Sequence, residues 1–171
     1  MKRIALIATL VLVSTTPAFA HAGHGIASGF LHPFLGWDHL IAMLAVGAWA
    51  ATMGNRAIWA VPAAFVSAMI VGGTFGMAGI EVPFVETMIL ASVLVLTALA
   101  IARVKLPVWS GMAIVGLFAL AHGYAHGAEI PAGTSAWIFG AGFVAATSLI
   151  HGLGAVMALA VMKVKAVSTP L

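Results

Sequence analysis

Five stretches of this chain, 39–55, 57–80, 87–102, 106–128 and 130–162, contain no Asp, Glu, Lys or Arg. A soluble domain carries charge on about a quarter of its residues. Here 6% of 171 residues are charged and 63% are hydrophobic, with a mean hydropathy of +1.17. Such a chain is solvated by lipid, which excludes soluble enzymes, nucleic-acid binders and disordered tails. The pI near 9.8 therefore marks no nucleic-acid patch. The chain has no Cys, which also excludes disulfides, thiolate metal sites, iron–sulfur clusters and Cys nucleophiles.

A helix crosses a bilayer with about 20 mostly apolar residues. The charge-free runs predict an all-α, polytopic membrane helix bundle with five transmembrane helices, near 34–53, 57–77, 84–102, 107–128 and 134–162. Ahead of them, Lys2-Arg3, the apolar run Ile4 to Val13 and Ala18-Phe19-Ala20 have the pattern of a secretory signal peptide cleaved after Ala20. This divides the chain into a signal, 1–20, and a single transmembrane domain, 21–171.

With residue 21 outside, Arg56, Arg103, Lys105, Lys163 and Lys165 all fall on the cytoplasmic side, as the positive-inside rule requires. Glu81, Glu86 and Glu129 then lie outside, with Asp38 in the outer part of the first span. Trp49, Trp59 and Trp109 are placed at inner ends, and Trp37 and Trp137 at outer ends, as interfacial belts. Gly72, Gly73, Gly76 and Gly79 in the second span, and Gly140, Gly142, Gly152 and Gly154 in the last, read as small-residue stripes for close helix packing.

Seven His against four acids is the unusual ratio, because an ionisable group inside a membrane is costly and functional by default. In His32-Pro33-Phe34-Leu35-Gly36-Trp37-Asp38-His39, a helical period returns His39 to the face of His32; Asp38 adds a carboxylate, and Met43 lies one turn deeper. In His122-Gly123-Tyr124-Ala125-His126-Gly127-Ala128-Glu129, the two His and Glu129 share one stripe. Imidazoles beside carboxylates suit nickel, cobalt, copper or zinc. His151 stands mid-span with Thr147 and Ser148 as candidate tautomer-fixing partners. His21 and His24, at the expected mature amino terminus, form a further nitrogen-rich set. Glu86 reads as a helix N-terminal charge and Glu81 as a solvated loop charge.

Two motifs carry a resemblance: His32-Pro33-x2-Gly36-x-Asp38-His39-Leu40-x2-Met43-x3-Gly47, and Ala121-His122-Gly123-Tyr124-Ala125-His126-Gly127-x-Glu129. Together with the signal-like start they resemble the HupE/UreJ family across nearly the whole mature chain. The resemblance implies a bacterial inner-membrane nickel or cobalt permease tied to hydrogenase or urease maturation, with His32, Asp38, His39, His122, His126 and Glu129 handling metal. It also implies six spans where five are counted here, so that a sixth is missing, 134–162 folds as two pieces, or the signal is retained.

The expected function is thus uptake of a divalent cation as transported ion, with no permanent cofactor, no catalysis and no nucleic-acid partner. A homo-oligomer is compatible with it. Rival readings are a metal-dependent intramembrane hydrolase and a haem-binding electron carrier.

Overall fold

A computed structural model of the protein describes residues 25–168, and every regular element among them is helical. The expected signal, His21 and His24 lie outside the described residues. In chain order the elements are α1 (Ile26–Leu31), a single 3-10 turn (His32–Phe34), α2 (Trp37–Met53), α3 (Ala57–Met77), α4 (Val85–Ile101), α5 (Val108–Ala128) and α6 (Ala136–Ser168). Helices α2 to α6 fall where the charge-free runs predict spans.

Helices α3 and α5, and residues Ala136–Val164 of α6, are each long and apolar enough to cross a membrane. Helix α2, at 17 residues, reaches that length only when counted with the helical residues before it, across a bend. Helix α4 is apolar but has 17 residues, about 26 Å at 1.5 Å per residue against a hydrocarbon core of about 30 Å. Helix α6 runs unbroken through 33 residues, so the last span is one piece.

The first span departs from expectation. Residues Ile26–Phe34 meet Trp37–Met53 at a bend of 84°. Pro33 sits at the start of the 3-10 turn, and Gly36 caps α2 in an extended conformation (φ −96°, ψ 111°). Neither residue sustains a continuous α-helical ladder. His32 and His39 consequently lie on different elements and do not share one helical face, contrary to the expectation from their spacing.

Close backbone approach sets the bundle. A Cβ on Gly123 of α5 would run into the Met69 carbonyl of α3, and one on Gly72 of α3 into the Leu120 carbonyl of α5. These contacts make α3–α5 the most extensive pairing, as expected where van der Waals packing replaces the hydrophobic drive between helices. On α6, Gly142 meets Ile26 and Gly154 meets Leu44, whereas Gly140 and Gly152 face open space. The predicted α6 stripe is therefore half used for packing. Gly79 lies outside the stripe too, in the turn after α3 with a left-handed φ of 67°.

The buried core gathers Met43, Val46, Trp49, Val61, Phe65, Leu96, Val115 and Ile150 from α2 to α6. Trp37, Trp59, Trp109 and Trp137 are exposed at helix ends, as the belt reading expects, but Trp49 is fully buried. Its Nε1–H donates to the Val104 carbonyl at 2.9 Å. Lys105 Nζ donates to the Thr52 carbonyl at the end of α2. The α4–α5 connection is thus tied beneath α2, at the end of the bundle opposite the His-rich one.

Candidate metal centre

The bend at Pro33–Gly36 starts α2 with Trp37-Asp38-His39 in its first turn. Asp38 Oδ1 accepts the His39 backbone N–H at 2.8 Å and lies 2.7 Å from His39 Nδ1. A carboxylate is acceptor only, so Nδ1 carries the hydrogen and Nε2 keeps the lone pair. His39 Nε2 is buried without a hydrogen-bond partner. Asp38 therefore aims the other nitrogen of its neighbour.

On α5, His122 and His126 stand one turn apart. Their rings meet the ring of His39 with centroids 4.8 Å and 4.4 Å away. One donor atom from each of His39, His122 and His126 lies within 4.8 Å of the others. Nitrogens sharing an ion at bonds near 2.1 Å stand about 3–4 Å apart, so small side-chain rotations complete this group. A second group, His32, His126 and Glu129, obeys the same limit. Here His32 Nε2 is 3.4 Å from Glu129 Oε2, and His126 Nδ1 is 3.9 Å from that oxygen. His126 belongs to both groups.

Exposure falls from one group to the other. The Glu129 side chain is 61% exposed, that of His32 26% and that of His126 8%, while His122 is at 0%. Glu129 caps the C-terminus of α5 beyond the membrane-spanning turns. The hydrogen bond from His32 holds its carboxyl below the ordinary 4.5, so it is an anion at the mouth of the site.

His122 Nδ1 and both ring nitrogens of His126 are buried without hydrogen-bond partners. A bare buried acceptor costs free energy, and a cation bound to the lone-pair nitrogen of each ring would offset that cost for the acceptors. Phe143 packs on His126 with ring centroids 4.3 Å apart, and Phe139 and Phe143 flank His32. These rings wall the groups with apolar surface.

His151 joins neither group. Its ring lies edge-on to Phe65, centroids 5.0 Å apart, and the Phe65 ring is also 5.7 Å from that of His122. Both of its ring nitrogens are buried and unpartnered. Its expected hydroxyl partners are engaged elsewhere: Thr147 faces the Met69 sulfur at 3.9 Å and Ser148 donates to the Val144 carbonyl. Met43 is core, fully buried. Glu86 lies in the first turn of α4, as expected of a helix N-terminal charge.

Ser92 and Phe65 are the neighbours of the cluster that motif reading passes over. Ser92 of α4 is fully buried and its Oγ lies 2.8 Å from His122 Nε2. The available signal was a hydroxyl inside the apolar run Met88–Leu96; Phe65 carried none, being one aromatic among many apolar residues.

No solved structure matches the chain. Protein HupE of Rhizobium leguminosarum bv. viciae is 44% identical over 153 residues, covering 86% of this chain and 80% of the relative. The sequence pattern described as HupE / UreJ protein matches residues 8–170. With both His motifs inside that span, this chain is a member of the HupE/UreJ family.

Proposed function

We propose that this membrane protein is a permease for a divalent transition-metal cation, Ni²⁺ or Co²⁺, drawn inward through the His cluster. The observation that carries this reading is the convergence of His39 from α2 with His122 and His126 from α5, under an outer layer of His32 and Glu129. Imidazole nitrogen with a little carboxylate oxygen suits these borderline cations. The imidazoles meet at ring separations of 4.4–4.8 Å, an arrangement for a compact ion. A haem carrier would need two axial ligands facing each other across a macrocycle.

Two donor groups in series allow a hydrated cation to exchange its waters in stages. Glu129 and His32 receive it; His126 then keeps its hold while His39 and His122 replace the outer pair. Asp38 holds the His39 ring in place for this exchange. His151, whose ring meets Phe65 as that of His122 does, is the donor proposed to take the cation next. His21 and His24 are proposed to gather external cations first.

The loops support an inner-membrane orientation with the His-rich end periplasmic and the C-terminus cytoplasmic. Arg56 and the pair Arg103 and Lys105 lie in the turns at the opposite end of the bundle, where cytoplasmic cations belong. Membership of the family supports delivery to a hydrogenase or urease maturation system.

Radioactive Ni²⁺ and Co²⁺ accumulation in cells tests the reading. His126→Ala removes a ligand from both groups and should reduce uptake to the empty-vector background with the protein still present in the membrane. His32→Ala spares the inner group; it should slow uptake several-fold at low external metal while purified protein still binds the ion. Parental accumulation by His126→Ala refutes the permease site.

A further inference from the structure

Ser92 lies outside both His motifs, on a different helix from either, yet its hydroxyl touches one of the candidate ligands. Its Oγ is 2.6 Å from the Ile89 carbonyl oxygen and 2.8 Å from His122 Nε2. The residue is fully buried, as is His122. A carbonyl oxygen only accepts, so the short contact to Ile89 uses the single hydroxyl hydrogen. Towards His122 the hydroxyl then has only lone pairs to offer. The hydrogen in that second contact therefore resides on Nε2.

An imidazole protonated on Nε2 has its lone pair on Nδ1, and His122 Nδ1 is a buried atom with no hydrogen-bond partner. The His39 ring stands perpendicular to His122, 90° apart at 4.8 Å. From these contacts we infer that Ser92 is a positioning residue: it locks His122 in the Nε2–H tautomer and presents Nδ1 to the cation. This rests on the proposed permease reading and adds to it a third helix, α4, as an element that prepares the site. Asp38 does the mirror-image task for His39, holding Nδ1–H so that Nε2 is the donor. The two facing imidazoles are thus primed with opposite nitrogens, one by a carboxylate and one by a relayed backbone carbonyl. Outer partners of this kind fix ligand orientation and typically change metal affinity about 10–100-fold.

The tautomer is measurable without transport. In metal-free protein labelled with ¹⁵N-histidine and held in nanodiscs at alkaline pH, His122 is assigned by loss of its signals in His122→Gln. The parent should show a protonated Nε2 and a bare Nδ1; a protonated Nδ1 overturns the inference. Ser92→Ala should bring the other tautomer into the mixture and weaken Ni²⁺ binding by about tenfold or more. Ser92→Thr keeps a hydroxyl able to reach the i−3 carbonyl and should restore the parental tautomer and most of the affinity. If Ser92→Ala keeps both parental tautomer and parental affinity, Ser92 is packing alone. These readouts separate from the permease reading: loss of transport by His126→Ala tests that, whereas the His122 nitrogen signals report on Ser92 whether or not any metal moves.

Discussion

Asp38 Oδ1 binds His39 twice, through the backbone N–H at 2.8 Å and the ring Nδ1 at 2.7 Å. One carboxylate oxygen thereby satisfies a first-turn amide of helix α2 and orients the first ring of the His cluster. Its own geometry is that of a holder: among the described residues, the groups able to share one ion are His39 with His122 and His126, and His32 with His126 and Glu129.

Replacing Asp38 should therefore act through His39. Asp38→Ala leaves the ring free to turn and should weaken Ni²⁺ binding to purified protein by about 10–100-fold. Asp38→Asn, whose amide oxygen still accepts from Nδ1–H, should lose less. Calorimetric titration of the three proteins ranks them, and equal affinities throughout would remove Asp38 from the site.

The glycines after the two α5 histidines make a packing prediction that is independent of metal. Gly123→Ala drives a methyl into the Met69 carbonyl and forces α3 and α5 apart; overpacking of this kind costs about 1–3 kcal/mol. Gly140→Ala, with nothing within reach of the new methyl, should stay within about 0.5 kcal/mol of the parent. Thermal unfolding in detergent compares them, and the same melting loss for both would contradict the close approach.

Glu129 supplies a pH dependence. Its carboxyl lies below the ordinary 4.5 because the His32 hydrogen bond favours the anion. A lowered folded value contributes stability that is fully present above 4.5 and is lost as pH falls through the folded value. The side chain is largely exposed, so solvent screening keeps the effect within about 1 kcal/mol. The stability difference between the parent and Glu129→Gln should be constant near neutrality and vanish under strongly acidic conditions. A difference that grows on acidification would reverse the assignment.

Helix positions were legible because charge is so costly in lipid that its absence marks each span. The pair His122 and His126 was legible too, since a fixed helical period puts i and i+4 on one stripe. The bend is harder to read: Pro33 and Gly36 each permit a break, but either also suits a helix start, and an unbroken helical period puts His32 on the face of His39. Trp49 looked like a belt residue by position, and only the α4–α5 connection passing beneath α2 makes it a buried donor.

The sequence by itself determined that this is an all-helical membrane protein of the HupE/UreJ type and which side chains are costly enough to matter. Tertiary structure alone decided which of them meet. His39 and His122 are 83 positions apart, and Ser92 reaches His122 from yet another helix; such encounters depend on how closely glycine-lined backbones pack and on where the chain turns through 84°. Local periodicity carries no record of either, because it describes one helix at a time.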